Sequence, residues 1–482
     1  MHAEAPRLTR SQAGRRKPGI VHLGLGAFFR AFGAIYIEDA VEMAGGDWGI
    51  VGVSLQSPGT RDRLAPQNFV YTVVTQEPDG GETLRTVEIV DDVLVAPEDP
   101  EAVLARMADP AIRIVTLTVT EKGYCHDPAT GRLNFAHPDI VHDLDNMLPR
   151  SAPGFLVRAL QRRRDAGDPP FTVLTCDNLP ENGRLVRQAV LDLAARIDPG
   201  LAEWIGAQGR FPATMVDRIT PATKPEDIER LAETAGYRDE APVLCEPFRQ
   251  WVVEDDFVPA YGADARPDLA AAGAQLVTDV TPYENMKLRM LNGTHSSLAY
   301  LGYLAGHETI AETVADPVFA SYVKALWRDE IIPSFAPPEA VDIHAYADAL
   351  FERYSNPSIR HRTWQIAMDG SQKLPQRILG TIADNLEAGR ACPGLMLAVA
   401  GWMRYVGGID ETGTPIEVKD PLAKQMRARL ETAGSPDAAV ASLLAMREIF
   451  SAEQADRLAD PVTRAYAILS KRGARKSVED LT

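Results

Sequence analysis

Short apolar runs alternate with helical patterns over residues 19–220. The run GIVHLGLG at 19–26 is followed directly by AFFRAFGAIYIEDAVEMA, in which apolar residues recur at helical spacing. Further runs of strand type are WGIVGVSL (48–55), IRIVTLTVT (112–120), FTVLTCDNL (171–179) and ATMVDRIT (213–220). Strands that alternate with helices predict a doubly wound parallel sheet, in which ligands bind at the carboxyl ends of the strands.

The pattern changes near residue 282, where long helical patterns replace the strand-like runs. Examples are ETVADPVFASYVKALWRDEII, PEAVDIHAYADALFERYS and GLMLAVAGWMRYVGG. A chain of 482 residues also exceeds what one hydrophobic core usually holds. We therefore predict two domains: an α/β nucleotide-binding domain over residues 1–281 and a mostly α-helical domain over residues 282–482.

The net charge and the cysteine spacing argue against several classes of protein. The formal net charge of −17 argues against nonspecific binding of nucleic acid or of an anionic membrane, while a local basic pocket for a small acid stays possible. The four cysteines lie far apart without metal-ligand spacing, so we predict neither a disulfide framework nor a zinc site. No secretory signal and no membrane-spanning apolar run is visible. We expect a cytoplasmic protein.

The glycine turn after the first apolar run is a candidate nucleotide site. It carries Gly24 and Gly26, but Phe29 stands where the third glycine of GxGxxG would fall, so an ordinary tight turn is an equal alternative. In the nucleotide-binding interpretation a pyrophosphate lies on the helix N-terminus, and Gly26 allows close backbone approach. The predicted cofactor-binding residues are Gly24, Gly26, Phe28, Arg30 and Gln56.

The end of the second strand bears on the choice of cofactor. An NAD site usually has an acidic residue there, which holds the ribose hydroxyls. Here Gln56 or Ser57 would replace that acid, and Arg61 leaves NADP open. Because the neighbouring Asp62 would repel a phosphate, we predict NAD as the cofactor, with NADP not excluded.

Three further strand ends carry polar residues that suit a ligand site. Glu121 lies in TVTEKGY, Asn178 in TCDNLPENG and Asp217 in MVDRITP. An alternative is that Asp177 and Asn178 cap the following helix. For Asp217, the alternative is internal pairing, with Arg218 next to it.

The helical stretch KLRMLNGTHSSLAYLGYLAG (287–306) places three polar side chains among leucines. At 100° per residue, Asn292 lies about 140° and His295 about 80° around the helix from Lys287, so one broad face presents all three. A buried lysine has its pKa lowered and can act as a general base. The alternatives are a snorkelling lysine and a hydrogen-bonded core histidine.

The stretch KLRMLNGTHSSLAYLG closely resembles the signature of the mannitol 2-dehydrogenase family of polyol-specific long-chain dehydrogenases. GLGAFFRA, TVTEKGY, TCDNLP, MVDRITP and CEPFRQWVVED are similar to other blocks of that family, so the resemblance covers nearly the whole chain. It implies a zinc-independent, NAD(P)-dependent secondary-alcohol dehydrogenase with an N-terminal Rossmann-type domain and a helical C-terminal domain.

The resemblance also implies roles for single residues. Lys287 corresponds to the general base, and Asn178 and Asn292 to the pair that polarises the substrate oxygen. His295 and Lys373 correspond to substrate-binding residues. Glu121 and Asp217 match family positions near the site, whereas Phe32 stands where the family usually has a histidine.

One block points to a branch of the family. RHRTWQIAMDGSQKLPQR (360–377) resembles the fructuronate reductase (D-mannonate oxidoreductase) branch and has Gln365 where mannitol enzymes tend to place arginine. A uronate carboxylate needs a cation, which Arg360, Arg362 or Lys373 would supply. We therefore expect interconversion of D-fructuronate and D-mannonate, with mannitol or a pentitol as the alternative substrate.

Other expectations concern partners. We predict a small sugar acid or polyol as ligand, no nucleic acid, membrane or metal, and a monomer or small homo-oligomer. A nucleotide sensor that keeps the fold without the chemistry is a further alternative. The combination of base, amides and histidine argues against it, since a sensor needs no proton donor.

Overall fold

The computed structural model describes residues 5–10, 15–127 and 130–481. The chain divides into two compact units. The first comprises residues up to Glu77 together with Gly81–Thr281, and the second comprises Pro78–Gly80 together with Pro282–Thr482.

The first unit is built from strands and helices in alternation. Its strands are β1 (Pro18–Leu23), β2 (Gly49–Ser54), β3 (Tyr71–Gln76), β4 (Glu82–Val87), β5 (Val90–Val95), β6 (Ile114–Leu117), β7 (Thr172–Thr175), β8 (Thr214–Asp217), β9 (Val243–Cys245), β10 (Gln250–Glu254) and β11 (Gln275–Val277). Its helices are α1 (Ala27–Ala31), α2 (Gly33–Ala44), α3 (Gly59–Leu64), α4 (Pro100–Ala108), α5 (Thr120–Gly123), α6 (Pro138–Asp145), α7 (Ala152–Ala166), α8 (Asn182–Ile197), α9 (Pro199–Gln208) and α10 (Pro225–Ala235).

A parallel sheet with the strand order β5-β2-β1-β6-β7 forms the centre of this unit. Counted by chain position these strands run 3-2-1-4-5, the doubly wound order, and the order reverses between β1 and β6. Apolar clusters lie on both faces, one including residues of α2 and the other residues of α7 and α8. The predicted Rossmann-type fold is confirmed.

Strand β2 explains how the turn after β1 comes to lie against the sheet. All six of its residues are buried, as expected of a strand covered on both faces. A side chain at Gly52 would begin 2.5 Å from the Leu25 side chain. This glycine therefore makes room for the turn that carries Gly24 and Gly26.

The prediction that ATMVDRIT joins the parallel sheet is wrong. Strand β8 instead pairs antiparallel with β10, in a second sheet of order β11-β10-β8. The Asn182 side chain gives the physical reason, because it accepts from Thr214 N and donates to Thr214 O, at 3.0 and 2.8 Å. These bonds occupy backbone groups of β8 that a neighbouring strand would need. A third sheet, β4-β3-β9, also lay outside the sequence prediction.

The second unit is mostly helical, which confirms the predicted fold class. Its α-helices are α11 (Thr281–Met286), α12 (Thr294–Leu304), α13 (Ile310–Ala315), α14 (Pro317–Ala325), α15 (Ile343–Tyr354), α16 (Thr363–Ile366), α17 (Gly370–Leu374), α18 (Gly380–Glu387), α19 (Pro393–Tyr405), α20 (Ala423–Glu431), α21 (Pro436–Leu444), α22 (Ala452–Arg472) and α23 (Ala474–Glu479). Helix α19 is buried along most of its length and packs against α12 and α22.

Three segments of the second unit are π-helical: Lys287–Gly293, Leu326–Ile331 and Pro375–Leu379. The first joins α11 to α12 and the third joins α17 to α18. Such segments are rare and are frequent at functional sites. Within the described part of the chain, no helix has the length and apolar character needed to span a bilayer.

Candidate active site

The turn after β1 leaves space beside the start of a helix. Gly24 has a φ of +90°, and a Cβ there would lie 2.3 Å from Thr118 O, so no other residue fits. At Gly26 the nearest atom to an added Cβ is Gly24 O at 3.7 Å, which leaves space beside the first residues of α1. The first backbone N–H groups of a helix have no intrahelical acceptor and can bind an anion.

His22 and Thr118 support this turn, and sequence analysis did not identify either. Thr118 Oγ1 donates to Gly24 O at 2.8 Å, so it accepts from His22 Nε2 at 2.9 Å. The histidine then carries its proton on Nε2, and Nδ1 accepts from Thr116 Oγ1 at 2.8 Å. Burial lowers the pKa of His22 to about 3. A neutral histidine inside the sheet thus fixes the conformation of the glycine turn.

The other predicted cofactor residues are spread more widely. Phe28 stacks on Phe32 with ring centroids 5.1 Å apart, and Gln56 is exposed just beyond β2. Arg30 is 5% exposed, donates to Ala241 O at 2.5 Å and lies over the Tyr71 ring. These contacts give Arg30 a structural role, and the geometry does not support its predicted contact with the cofactor.

Arg61, which left NADP open in the sequence, is paired with acids in the structure. Its guanidinium donates to Asp62 at 2.8 Å and also to Glu98, which follows β5. The pKa of Arg61 is raised by the hydrogen bonds to Glu98 and Asp62. Within the described residues, Arg61 therefore pairs only with carboxylates.

Asp177 ties together the loops that carry Glu121 and Asn178. Its carboxylate accepts from Val119 N and Thr120 N, both at 2.9 Å, and from Tyr124 Oη at 2.7 Å. Burial raises the pKa of this carboxyl, while the three donors act in the opposite direction.

Helix α8 is not capped by a side chain, so the alternative role of Asp177 as a helix cap is wrong. Glu121 and Asn178 are both exposed, on loops held by this buried acid.

Asp217 ends β8 and is 3% exposed. The neighbouring Arg218 donates to Glu246 O at 2.9 Å and to Ala31 O at 2.6 Å. Arg218 thus holds two backbone segments of the first unit together.

The predicted catalytic helix differs from a regular α-helix. Lys287–Gly293 is π-helical, so the rotation of 100° per residue does not apply there. In a π-helix the hydrogen bonds run from i to i+5, and residues five apart lie close to the same side. The angle about the helix axis between Lys287 and Asn292 is therefore smaller than the predicted 140°. Lys287 is 7% exposed and Asn292 is half-buried.

Side chains from other helices satisfy carbonyl groups of this π-helical segment. Tyr354 Oη donates to Leu291 O at 2.8 Å, and Trp327 Nε1 donates to Met290 O at 3.2 Å. Helix α12 follows this segment directly, and His295 in its first turn is 6% exposed.

The His295 ring contacts Tyr354 and His361, with centroid distances of 4.6 and 5.1 Å. Burial, followed by the charges of His361, Arg353 and Arg377, holds the pKa of His295 well below its usual value. His295 is therefore neutral and available for hydrogen bonding.

The structure separates the three cations that were predicted to bind a carboxylate. Lys373 is half-buried, and its Nζ donates to Met368 O at 2.6 Å and to Ile366 O at 3.4 Å. The Arg360 and Arg362 side chains are 69% and 48% exposed and lie 4.0 and 3.3 Å from Glu308. The two arginines thus belong to the surface.

Sequence analysis missed Arg377, four residues after Lys373. Arg377 Nη1 donates to Ser296 Oγ at 3.2 Å, next to His295 in the chain. The signal that could have identified it was its place in the block RHRTWQIAMDGSQKLPQR, where it is a further cation beyond Lys373. Among the residues described, no group of three or more metal-ligating side chains was found.

Comparison with known proteins identifies the family. Residues 18–262 match the model of the mannitol dehydrogenase Rossmann domain, and residues 279–470 match the mannitol dehydrogenase C-terminal domain. The chain is 48% identical to D-mannonate oxidoreductase of Escherichia coli (strain K12), over 97% of this chain and 96% of that protein. It is 39% identical to mannitol 2-dehydrogenase of Aspergillus terreus, over 96% of this chain and 92% of that protein.

A solved structure agrees with these matches. The chain is similar to Pseudomonas fluorescens mannitol 2-dehydrogenase in a ternary complex with NAD and D-mannitol, with 37% identity and a TM-score of 0.86. The similarity covers 99% of this chain and 96% of that one. The chain therefore belongs to the mannitol dehydrogenase family and is an oxidoreductase acting on CH–OH groups.

Proposed function

We propose that the protein is an NAD-dependent oxidoreductase that interconverts D-fructuronate and D-mannonate. The observation that carries the proposal is its similarity to D-mannonate oxidoreductase, 48% identical over nearly the full length of both chains, against 39% for a mannitol 2-dehydrogenase. A cytoplasmic location and a monomeric or small homo-oligomeric state stay predictions from the sequence.

The first unit supports the cofactor assignment. The open space at Gly26 and the free N–H groups at the start of α1 fit a pyrophosphate. The pairing of Arg61 with Glu98 and Asp62 favours NAD over NADP. The ribose phosphate of NADP would have to compete with these two carboxylates for the guanidinium of Arg61. When bound, the nicotinamide ring of NAD supplies or takes up the hydride.

The proposed proton transfer uses Lys287. In reduction its ammonium group donates a proton to the alkoxide that forms as the ketone accepts the hydride. In oxidation the neutral amine removes the proton of the hydroxyl group, and the hydride leaves from carbon. The family resemblance assigns to Asn178 and Asn292 the polarisation of the same oxygen, so the proposed chemistry needs no zinc.

The second unit provides the proposed substrate contacts. Neutral His295 can donate to or accept from a substrate hydroxyl, because burial keeps it uncharged. Lys373 supplies a cation with no acidic side chain within ion-pairing distance among the described residues. Glu121 and Asp217 keep their proposed positions near the substrate on the family resemblance alone.

The substrate assignment can be tested with purified enzyme. We expect NADH oxidation to be faster with D-fructuronate than with D-fructose, and NADH to be used better than NADPH. Higher catalytic efficiency on D-fructose or D-mannitol would instead support the alternative function of a mannitol 2-dehydrogenase. Similarity to such enzymes makes this the second candidate. Tight NAD binding without turnover of any ketose or ketouronate would establish a sensor.

A further inference from the structure

The surroundings of Arg377 are unusual for a half-buried cation. Burial lowers its pKa, and Nη1 donates to Ser296 Oγ at 3.2 Å. Among the described residues this is the only hydrogen bond of the half-buried guanidinium, and no carboxylate lies within 4.0 Å of it. Arginine in such an environment is normally paired, because removing a charge from water costs several kcal/mol.

A second cation and two histidines lie in the same cluster. Burial and then the charge of Arg377 lower the pKa of Lys373 to about 8, so the two cations repel each other. Asp369 and Asp420 act in the opposite direction without forming an ion pair to Lys373 in the described chain. The cluster therefore carries positive charge that no ion pair neutralises within the described residues.

The histidines do not remove this charge. His361 is half-buried near both cations, and its pKa is lowered to about 4 by burial, Arg377 and Lys373. Its Nδ1 atom is buried without a hydrogen-bond partner in the residues described. Four groups that could hold an anion thus occur together without an ion pair to an acidic side chain in the described chain: Arg377, Lys373, His361 and His295.

We propose that Arg377, together with Lys373, binds the carboxylate of the sugar-acid substrate. This inference rests on the proposed function, since it requires a substrate with an acid group. A guanidinium binds a carboxylate through two parallel hydrogen bonds, and Nε and Nη2 of Arg377 are the pair that the protein itself leaves unused. Arg360 and Arg362 do not serve this role, because both are exposed beside Glu308.

The test compares Arg377→Gln with Arg362→Gln in the full-length enzyme, with D-fructuronate and D-fructose as substrates. We expect Arg377→Gln to lose about 10- to 100-fold in kcat/KM on D-fructuronate, mainly through KM, and far less on D-fructose. Arg362→Gln should keep the wild-type ratio of the two efficiencies. The proposal would be overturned if Arg377→Gln kept the wild-type ratio of kcat/KM on D-fructuronate to kcat/KM on D-fructose. It would also be overturned if only Arg362→Gln lost that preference.

Two further results keep the outcome decisive. If Arg377→Gln does not fold, as judged by its circular dichroism, Arg377→Lys replaces it. That variant keeps the charge without the two-bond geometry, so its preference should lie between those of the wild type and an uncharged variant. An undiminished preference in folded Arg377→Lys counts against the proposal. A wild-type enzyme that prefers D-fructose shows that the proposed function itself has failed.

Discussion

Lys287 begins a π-helical segment and is almost completely buried, at 7% exposure. We expect Lys287→Ala to lower turnover by about 10²-fold or more, the usual range for a general acid or base. NAD affinity, measured by titration, should change little. Lys471→Ala, in the exposed last turn of α22, serves as the control. Near-normal turnover of Lys287→Ala across the pH range would remove this lysine from the mechanism.

Lys373 should make the preference for an acidic substrate depend on pH. Its pKa of about 8 means that the ammonium group is present below that pH and is lost above it, while arginine keeps its charge. His361, with a pKa of about 4, does not titrate in this range.

We expect the ratio of kcat/KM for D-fructuronate to that for D-fructose to fall up to ~10-fold from about pH 7 to about pH 9. The ratio cancels ionisations that both substrates share, including that of the proton donor. Lys373→Met should give a low ratio that does not vary with pH, whereas Lys419→Met, on the surface over Trp364, should behave as wild type. A constant ratio in the wild type would exclude Lys373 from the carboxylate site.

At the scale of elements, two π-helical segments pack through Gly293. A Cβ at this residue would lie 2.6 Å from Arg377 O, a backbone atom that cannot move without the segment. We expect Gly293→Ala to lower the free energy of unfolding by about 1–3 kcal/mol, as overpacking does. Turnover should fall as well, because Lys287 and Asn292 lie on the same segment.

The matched control is Gly380→Ala, at the first residue of α18. Its nearest neighbour would be Pro375 O at 4.0 Å, and alanine favours a helix over glycine. The free energy of unfolding, measured by urea denaturation, should stay unchanged or rise slightly. The turnover rate should change little. Equal effects of the two substitutions would show that packing between the π-helical segments does not matter.

Elements differ in how far the sequence predicts them. Continuous apolar runs predicted β1 and β2, because strands buried on both faces need apolar residues at successive positions. The partner of β8 could not be predicted, since it depends on the distant side chain of Asn182. The π-helical geometry of Lys287–Gly293 was likewise missed, because it depends on donors from Tyr354 and Trp327.

The candidate site shows the same limit. Residue type and family blocks led to the prediction of Lys287, Asn292 and His295 as site residues, and their roles stay predictions. They could not show that Arg360 is exposed or that Arg377 is not, because burial depends on how the helices of the second unit pack. The contact of Arg30 with Ala241 O could not be predicted either, because the two residues are far apart in the chain.

At the scale of the whole molecule, Glu330 should make stability depend on pH. It accepts from Gly394 N and Leu395 N at 2.7 and 2.8 Å, at the start of the central helix α19. Burial raises its pKa from 4.5 to about 7, and the two N–H groups act against this. The stability contributed by the protonated form is complete below about pH 4.5 and declines by roughly 3 kcal/mol up to about pH 7.

We therefore expect the stability of Glu330→Gln to depend less on pH than that of the wild type between about pH 4.5 and pH 7, because the glutamine amide does not titrate. Melting temperatures measured across this range would show the difference. Glu453→Gln, at an exposed residue of α22, should follow the wild-type curve. Parallel curves for Glu330→Gln and the wild type would mean that this carboxyl does not control the pH dependence.

The carboxylate of Asp177 has a consequence for hydrogen exchange. The amides of Val119 and Thr120 lie in a loop beyond β6, yet both donate to a buried acid instead of water. They should exchange with deuterium about as slowly as amides of the neighbouring sheet, because exchange requires the loop to open. In Asp177→Asn only one oxygen remains to accept, and uptake over residues 118–121, followed by mass spectrometry, should accelerate. Fast uptake in the wild type would show that the loop opens without disturbing the sheet.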